Sequence, residues 1–353
     1  MEYQQGLTII GSVCVVLLVL LAIFFATVPS PLTRANRLFA AFLFLAAVDA
    51  SGWTSWGDAS ESAIVSSLRL GLTFLQMPVL WLYVTAAAFS SFRLRPGYLW
   101  HAAPAVVVAG VLLLAGASAV PAVLVALHVQ YYIYIAAAFL VLRRFNTIYR
   151  DNFSDASTRT SVWLAHLCWV SLIAHSFGLI KGVAGMMSVP FAPVMTVGVP
   201  LIALIVTIWI AAQALYQPDL FRRVDAKVET PRQVRAPSSE MSADIDRLLD
   251  HMRRTAPFTD PNLSLKKLAR QMSMPARDLS VLINSGLGQS FFEFINAHRI
   301  DRAAELLSDP TRAGMSILDV LYDVGFNSKS SFNTAFRRRI GRTPSEYRRM
   351  QAK

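Results

Sequence analysis

Residues Ser316–Arg348, SILDVLYDVGFNSKSSFNTAFRRRIGRTPSEYR, decide how the rest of this 353-residue chain is read. Ile317, Val320, Leu321 and Val324 recur at helical spacing and predict one short helix with a single apolar face. Gly325 then permits a tight turn, and Ser328 is a favourable N-cap for a second helix, KSSFNTAFRRRIG. In that helix Phe332, Phe336 and Ile340 repeat every four residues and must face inward, which leaves Lys329, Ser330, Asn333, Thr334 and Arg337 outward. Two short helices joined by such a turn make a helix-turn-helix, whose second helix enters the major groove of DNA. Near the start of a recognition helix Lys donates to guanine and Asn pairs with adenine, which makes Lys329 and Asn333 expected base readers. Arg337, Arg338 and Arg339 lie farther along and are placed for phosphates. From Lys329 onward eight Lys and Arg stand against the single acid Glu346, the charge footprint of a phosphate-binding surface.

A second copy of the plan lies upstream. Leu265, Leu268, Ala269 and Met272 form the apolar face of one helix, the segment SMP turns, and PARDLSVLINSGLG supplies a second helix burying Leu279, Leu282 and Ile283. The two units, about 264–285 and 316–340, are separated by a longer helix over about 290–308, SFFEFINAHRIDRAAELLS. Its buried face is expected to hold Phe291, Phe294, Ile295, His298, Ile300, Ala303 and Leu306. At 1.5 Å per residue it is about 28 Å long, of the order of one turn of B-DNA, so two recognition helices could meet successive major grooves.

With INAHRIDRAAELL, DVGF, SFNTAFRR and GRTPSEYR in hand, residues 263–349 resemble the DNA-binding domain of the AraC/XylS family of bacterial transcription regulators. The resemblance implies a bihelical domain that binds promoter DNA and usually activates transcription, with RNA polymerase as an expected partner. By position it implies that the first recognition helix reads bases with Arg277, Ser280 and Val281, and the second with Lys329, Ser330, Asn333 and Thr334. The usual sensor of that family is a soluble β-rich domain, and nothing here corresponds to it.

What precedes the motif is instead apolar. The whole chain is 54% hydrophobic and only 16% charged, against roughly 25% charged residues in a soluble domain. Residues 1–215 hold 10 Lys and Arg and 6 Asp and Glu, whereas residues 216–353 hold 23 and 16. Seven segments approach the roughly twenty apolar residues that a bilayer crossing needs: about Leu7–Val28, Leu38–Trp53, Ile64–Phe89, Tyr98–Ala119, Val123–Leu142, Val162–Lys181 and Phe191–Tyr216. Arginines fall in alternate loops (Arg34 and Arg37; Arg93 and Arg95; Arg143, Arg144, Arg150 and Arg159), while the intervening loops carry none. By the positive-inside rule the N-terminus is outside and, after seven crossings, the C-terminus is cytoplasmic, the side on which DNA is found.

Polar residues inside such spans are functional hypotheses by default. His128, Gln130 and His175 are expected either to line a ligand pocket or to hydrogen-bond between helices. No metal-ligand spacing is present, and Cys14 and Cys168 both sit in apolar spans. Residues 217–240 read as a juxtamembrane linker with three prolines and five basic residues. Met241, Ile245, Leu248 and Met252 then follow a short heptad seam, which either pairs with a second copy as a homodimer or packs on the domain that follows.

The expected fold is therefore all-α: a seven-helix transmembrane bundle over residues 1–216, the linker, and a DNA-binding domain over residues 241–353 with two helix-turn-helix units. The expected function is that of a multi-pass regulator of the bacterial inner membrane, not an enzyme, with no cofactor and no metal. Its expected partners are promoter DNA, the lipid bilayer and a small-molecule or membrane signal. The competing readings are a membrane transporter or enzyme that regulates its own expression, and a passively anchored regulator that senses nothing.

Overall fold

The computed structural model describes residues 2–30, 32–54, 62–89, 92–154, 159–189, 192–216, 239–312 and 314–351. These are almost entirely helical, and the chain divides into two compact units. One comprises residues 1–143 and 159–225, the other residues 144–158 and 226–353. The linker expected at 217–240 lies outside the described residues except for Ser239 and Glu240, which already open a helix.

The first unit contains α1 (Glu2–Thr27), α2 (Thr33–Ala50), α3 (Ala63–Thr73), α4 (Gln76–Ala88), α5 (Ala103–Ala115), α6 (Val120–Asn152, of which residues up to 143 belong here), α7 (Arg159–Met186) and α8 (Ala192–Tyr216). Phe39, Leu43, Leu80, Tyr83 and Leu164 are buried at its centre. There the rings of Phe39 and Tyr83 stack with centroids 4.5 Å apart, and Trp163 Nε1 donates to the Tyr83 hydroxyl at 3.1 Å. Among the described residues six helical stretches are long and apolar enough to cross a membrane. One of them, Pro96–Asn152, contains α5 and α6 and so holds two of the seven segments expected from the sequence.

The segment expected as one helix over about 64–89 is broken into α3 and α4. Pro78 has no N–H to give to the carbonyl four residues back, which is that of Phe74. The carbonyl is satisfied from another helix instead: Gln130 Nε2 on α6 donates to Phe74 O at 3.1 Å. An interior polar side chain thus completes the hydrogen bonding of an interrupted helix, the arrangement an apolar environment requires.

The second unit begins with the end of α6 and continues through α9 (Ser239–Thr255), α10 (Leu265–Gln271), α11 (Ala276–Val281), α12 (Phe291–Ser308), α13 (Ile317–Asp323), α14 (Lys329–Ile340) and α15 (Pro344–Gln351). Residues 144–158 fall within the expected 1–216 domain in the sequence reading, yet they cluster here. Ser side chains start the helices. Ser264 Oγ accepts from Lys267 N, Ser328 Oγ accepts from Ser331 N, and Ser290 and Ser316 form capping boxes with Glu293 and Asp319.

Two apolar cores follow, one for each helix pair. Leu268, Leu279, Ile283 and Ile295 centre the first, and Val320, Leu321, Phe332 and Phe336 the second. Leu248 and Met252 of α9 are fully buried in the first core, with Met241 and Ile245 packed against it. The heptad-like seam is therefore filled within the chain. The α15 helix, which the sequence pattern left unassigned, closes the second core by setting Tyr347 edge-on to Phe336.

Candidate nucleic-acid interface

Each helix pair is held at its turn by a residue in the left-handed region, which the sequence announces only at Gly325. In the first pair Ser273 adopts φ 54° between α10 and α11. In the second, Gly325 adopts φ 90°, and a Cβ there would lie 2.7 Å from the carbonyl oxygens of Phe258 and Thr259. Glycine is required at 325 twice over, for the left-handed backbone and for the close approach of that neighbouring strand of chain.

The turn aims α14. Phe332 and Phe336 are fully buried, and Lys329, Ser330, Asn333, Thr334 and Arg337 are exposed along the helix. Arg338 and Arg339 are exposed as well, but each reaches back to the spacer α12. Arg339 makes a two-pronged contact with Asp301, Nε to Oδ1 at 2.6 Å and Nη2 to Oδ2 at 2.7 Å. That fork matches the carboxylate and braces α14 against α12. Arg339 is thus turned to Asp301 of α12, where the expectation had it holding a phosphate. Arg338 Nη2 lies 3.4 Å from Glu293 Oε1 with its side chain largely in solvent, a loose contact that a phosphate could replace. Glu293 is held below the usual carboxylate range by the Ser290 backbone N–H of its capping box, then by the Ser290 hydroxyl, Arg338 and Arg150.

The first unit presents less. Arg277 is exposed at the start of α11. Ser280, expected to read a base, is only 8% exposed, and its hydroxyl accepts from Asn284 Nδ2 at 3.1 Å. It sits on the inner side of α11 beside Leu279, and this corrects its expected role. Val281 is half-buried. Beyond it the helix widens into a π turn, Leu282–Gly286, before the spacer begins.

The residues singled out in the apolar half are brought together. His128 Nδ1 and His175 Nε2 lie 2.9 Å apart between α6 and α7, and the His175 ring stacks on Tyr131 with centroids 3.5 Å apart. Tyr131 and Tyr132 hydroxyls pair with Ser171 and Ser176 of α7. Gln130 is turned away from this cluster to Phe74 O.

Sequence reasoning missed Arg299. It is 1% exposed, and its guanidinium donates to Phe258 O (2.7 Å), Asp260 O (2.9 Å), Ser154 O (3.2 Å) and Ser154 Oγ (3.1 Å), with the group 5.5 Å from the Phe326 ring centre. The signal was present: Phe291, Ile295, Arg299 and Ala303 recur every four residues, so Arg299 occupies a core position. His298, assigned to that face from the sequence, is half-buried, its ring stacked on Phe258. Burial holds the His298 imidazole below its ordinary range.

Two helix-turn-helix units joined by one 18-residue helix, with a basic recognition helix in the second, define the C-terminal region as an AraC-type DNA-binding domain. Residues 268–350 match the protein family described as a helix-turn-helix domain. Among characterised proteins, the virulence regulon transcriptional activator VirF of Yersinia enterocolitica is 37% identical over 84 residues, 24% of this chain and 30% of that protein. The HTH-type transcriptional regulator ExsA of Pseudomonas aeruginosa is 36% identical over 84 residues, 24% of this chain and 29% of its own length. The melibiose operon regulatory protein of Escherichia coli is 29% identical over 91 residues, 26% of this chain and 29% of that one. The matched segment thus spans less than a third of these relatives. A solved structure, the C-terminal domain of AraT, a response regulator from Geobacillus stearothermophilus, is 28% identical and covers 32% of this chain and 86% of that chain, with a TM-score of 0.26.

Proposed function

We propose that the chain is a membrane-bound, sequence-specific transcription regulator whose apolar half couples a membrane or extracytoplasmic signal to promoter activation. The observation that carries this reading is the exposed row of Lys329, Ser330, Asn333, Thr334 and Arg337 on a helix-turn-helix, in one chain with six stretches apolar enough to span a bilayer. The outer faces of those stretches support it, since Ile9, Leu20, Leu114, Ile133, Ile173 and Ile205 are all exposed. Large apolar side chains exposed along stretches of this length suit a lipid environment.

In this reading the bundle crosses seven times with the N-terminus outside. Arg277, Lys329, Ser330, Asn333 and Thr334 read bases, while Arg337 and Arg338 hold phosphates. RNA polymerase and a second copy of the chain are the protein partners. The paired His128 and His175 rings, with Tyr131 and Tyr132, form the polar centre through which a ligand or membrane state shifts the bundle between two arrangements. The regulator performs no chemistry of its own.

The test uses the full chain in its host. Membrane fractionation should recover it with the inner membrane, and genome-wide crosslinking should enrich it at discrete promoters whose transcripts fall when the gene is deleted. Recovery in the soluble fraction would refute the membrane placement, and uniform genomic crosslinking would refute sequence-specific binding.

A further inference from the structure

The compact unit that contains both helix-turn-helix pairs also contains residues 144–158, the end of α6 and the stretch that follows it. This segment is seated, not merely adjacent. Ser154 is 1% exposed, and its carbonyl and hydroxyl both accept from the buried Arg299 guanidinium. Asn296 Nδ2 reaches the same carbonyl at 3.4 Å, and Ser154 Oγ donates to Leu263 O at 2.9 Å. Phe153 forms an isolated antiparallel bridge with Ser264, the N-cap of α10, and its ring stacks on Tyr149 with centroids 4.7 Å apart. A buried guanidinium with this many partners fixes the segment in one register.

One consequence is the position of Arg150, which is exposed on the last turn of α6. It lines a cleft of about 590 Å³ together with Gln289, Ser330, Thr334 and Arg338. These are hydroxyl, amide and guanidinium donors, and Ser330 and Thr334 lie on the exposed side of the recognition helix. The one carboxylate on the cleft, Glu293, is engaged by Ser290 and Arg338. Phe292, Ala297, Ile300 and Ala335 floor the cleft, and at its edge the exposed guanidiniums of Arg150 and Arg338, beside the base-reading Ser330 and Thr334, fit the acceptors and negative charge of a phosphodiester.

We propose that Arg150 is a DNA-phosphate contact supplied from outside the helix-turn-helix domain, and that the Ser154–Arg299 latch is what holds it in place. The assignment rests on the reading of this unit as a DNA binder. It makes the end of α6 a working part of the interface, so that unseating Ser154 would change DNA affinity through Arg150.

The experiment uses the full chain in lipid nanodiscs and a random-sequence 30-base-pair duplex of about three helical turns, with affinity read by fluorescence anisotropy between about 50 and 200 mM KCl. Arg150→Gln should reduce the slope of log affinity against log salt by about 0.9, which makes the variant's deficit about 3.5-fold larger at the low-salt end than at the high-salt end. Arg150→Lys should restore the slope. Ser154→Leu, too large for its site, should reproduce the Arg150→Gln deficit, and the double variant should lose nothing more. An unchanged slope for Arg150→Gln, or an affinity raised by it, overturns the phosphate contact. A wild-type slope for Ser154→Leu, or a doubled loss in the double variant, overturns the latch. A wild-type chain with no duplex affinity would overturn the DNA-binding reading along with the proposal, whereas wild-type binding with an unchanged Arg150→Gln slope overturns the proposal alone.

Discussion

Replacing Arg299 by Met would remove the donor that three backbone carbonyls share while keeping most of the side chain's bulk. The three acceptors do not suffer equally. Asp260 O retains the Leu263 N–H at 3.1 Å, and Ser154 O retains Asn296 Nδ2 at 3.4 Å. The full penalty of a stranded buried acceptor, about 1–3 kcal/mol, therefore falls on Phe258 O. The charged hydrogen bonds lost at the other two sites add to it, and release from burying a guanidinium offsets part of the sum. A net cost of about 2–4 kcal/mol follows, a large fraction of a domain stability of about 5–15 kcal/mol. Hydrogen exchange by mass spectrometry on the full chain reads this locally. If opening is in fast equilibrium, amides in the Phe258–Leu263 and Phe291–Ala303 segments should exchange about 30- to 700-fold faster, at about 1.4 kcal/mol per decade. Lys at 299 keeps the charge but cannot fork, and should recover less than half of the protection. Exchange within threefold of wild type in Arg299→Met would show that the buried guanidinium is not what joins these segments.

Arg337→Ala should weaken binding to every duplex alike and reduce the salt slope by about 0.9, and a loss confined to one sequence would refute its phosphate role. Asn333→Ala should relax preference at a single base pair, at a cost of about 1–3 kcal/mol on the preferred site. Sequencing the bound fraction of a random library checks this, and equal loss on all sequences would count against it. Gly325→Ala should destabilise the second unit by at least about 1–3 kcal/mol in denaturant titration, because the left-handed backbone and two carbonyl contacts at 2.7 Å oppose a methyl group. Glu293 is held below its ordinary value of about 4.3, so its stabilising contribution is complete above that value and is lost as pH falls through the lower folded-state value. Glu293→Gln should remove this component from the acid-unfolding profile, and an unaltered profile would assign it elsewhere.

Much of the second unit was legible in one dimension because its determinants are local. Apolar residues at spacings of three and four, serines at helix starts and a glycine at a tight turn each act within a few residues. They place α10, α12, α13 and α14 within about two residues of where they lie, whereas the helix expected over PARDLSVLINSGLG gives way to a π turn after Val281. The first unit was legible as apolar helices for the same reason, although Pro78 divides the third segment and leaves the Phe74 carbonyl to Gln130, fifty-six positions from Phe74. The helical wheel of α14 separated its buried from its exposed residues. It could not show that Arg339 is tied to Asp301, since that depends on where α12 runs. In the short α11 the wheel was ambiguous, and burial placed Ser280 inside.

By itself, then, the sequence determined the helices, their apolar faces, the tandem plan and the charge of the reading helix. All of these follow from local propensity and periodicity. Tertiary structure alone decided that α9 fills a core within the chain, that Arg339 braces the spacer, and that Ser154 sits on Arg299 across a sequence separation of 145 residues. Such contacts depend on which surfaces meet after the helices have formed. A buried guanidinium donates to whichever carbonyls complete its hydrogen bonds, so no residue near Arg299 in the sequence could announce which they would be.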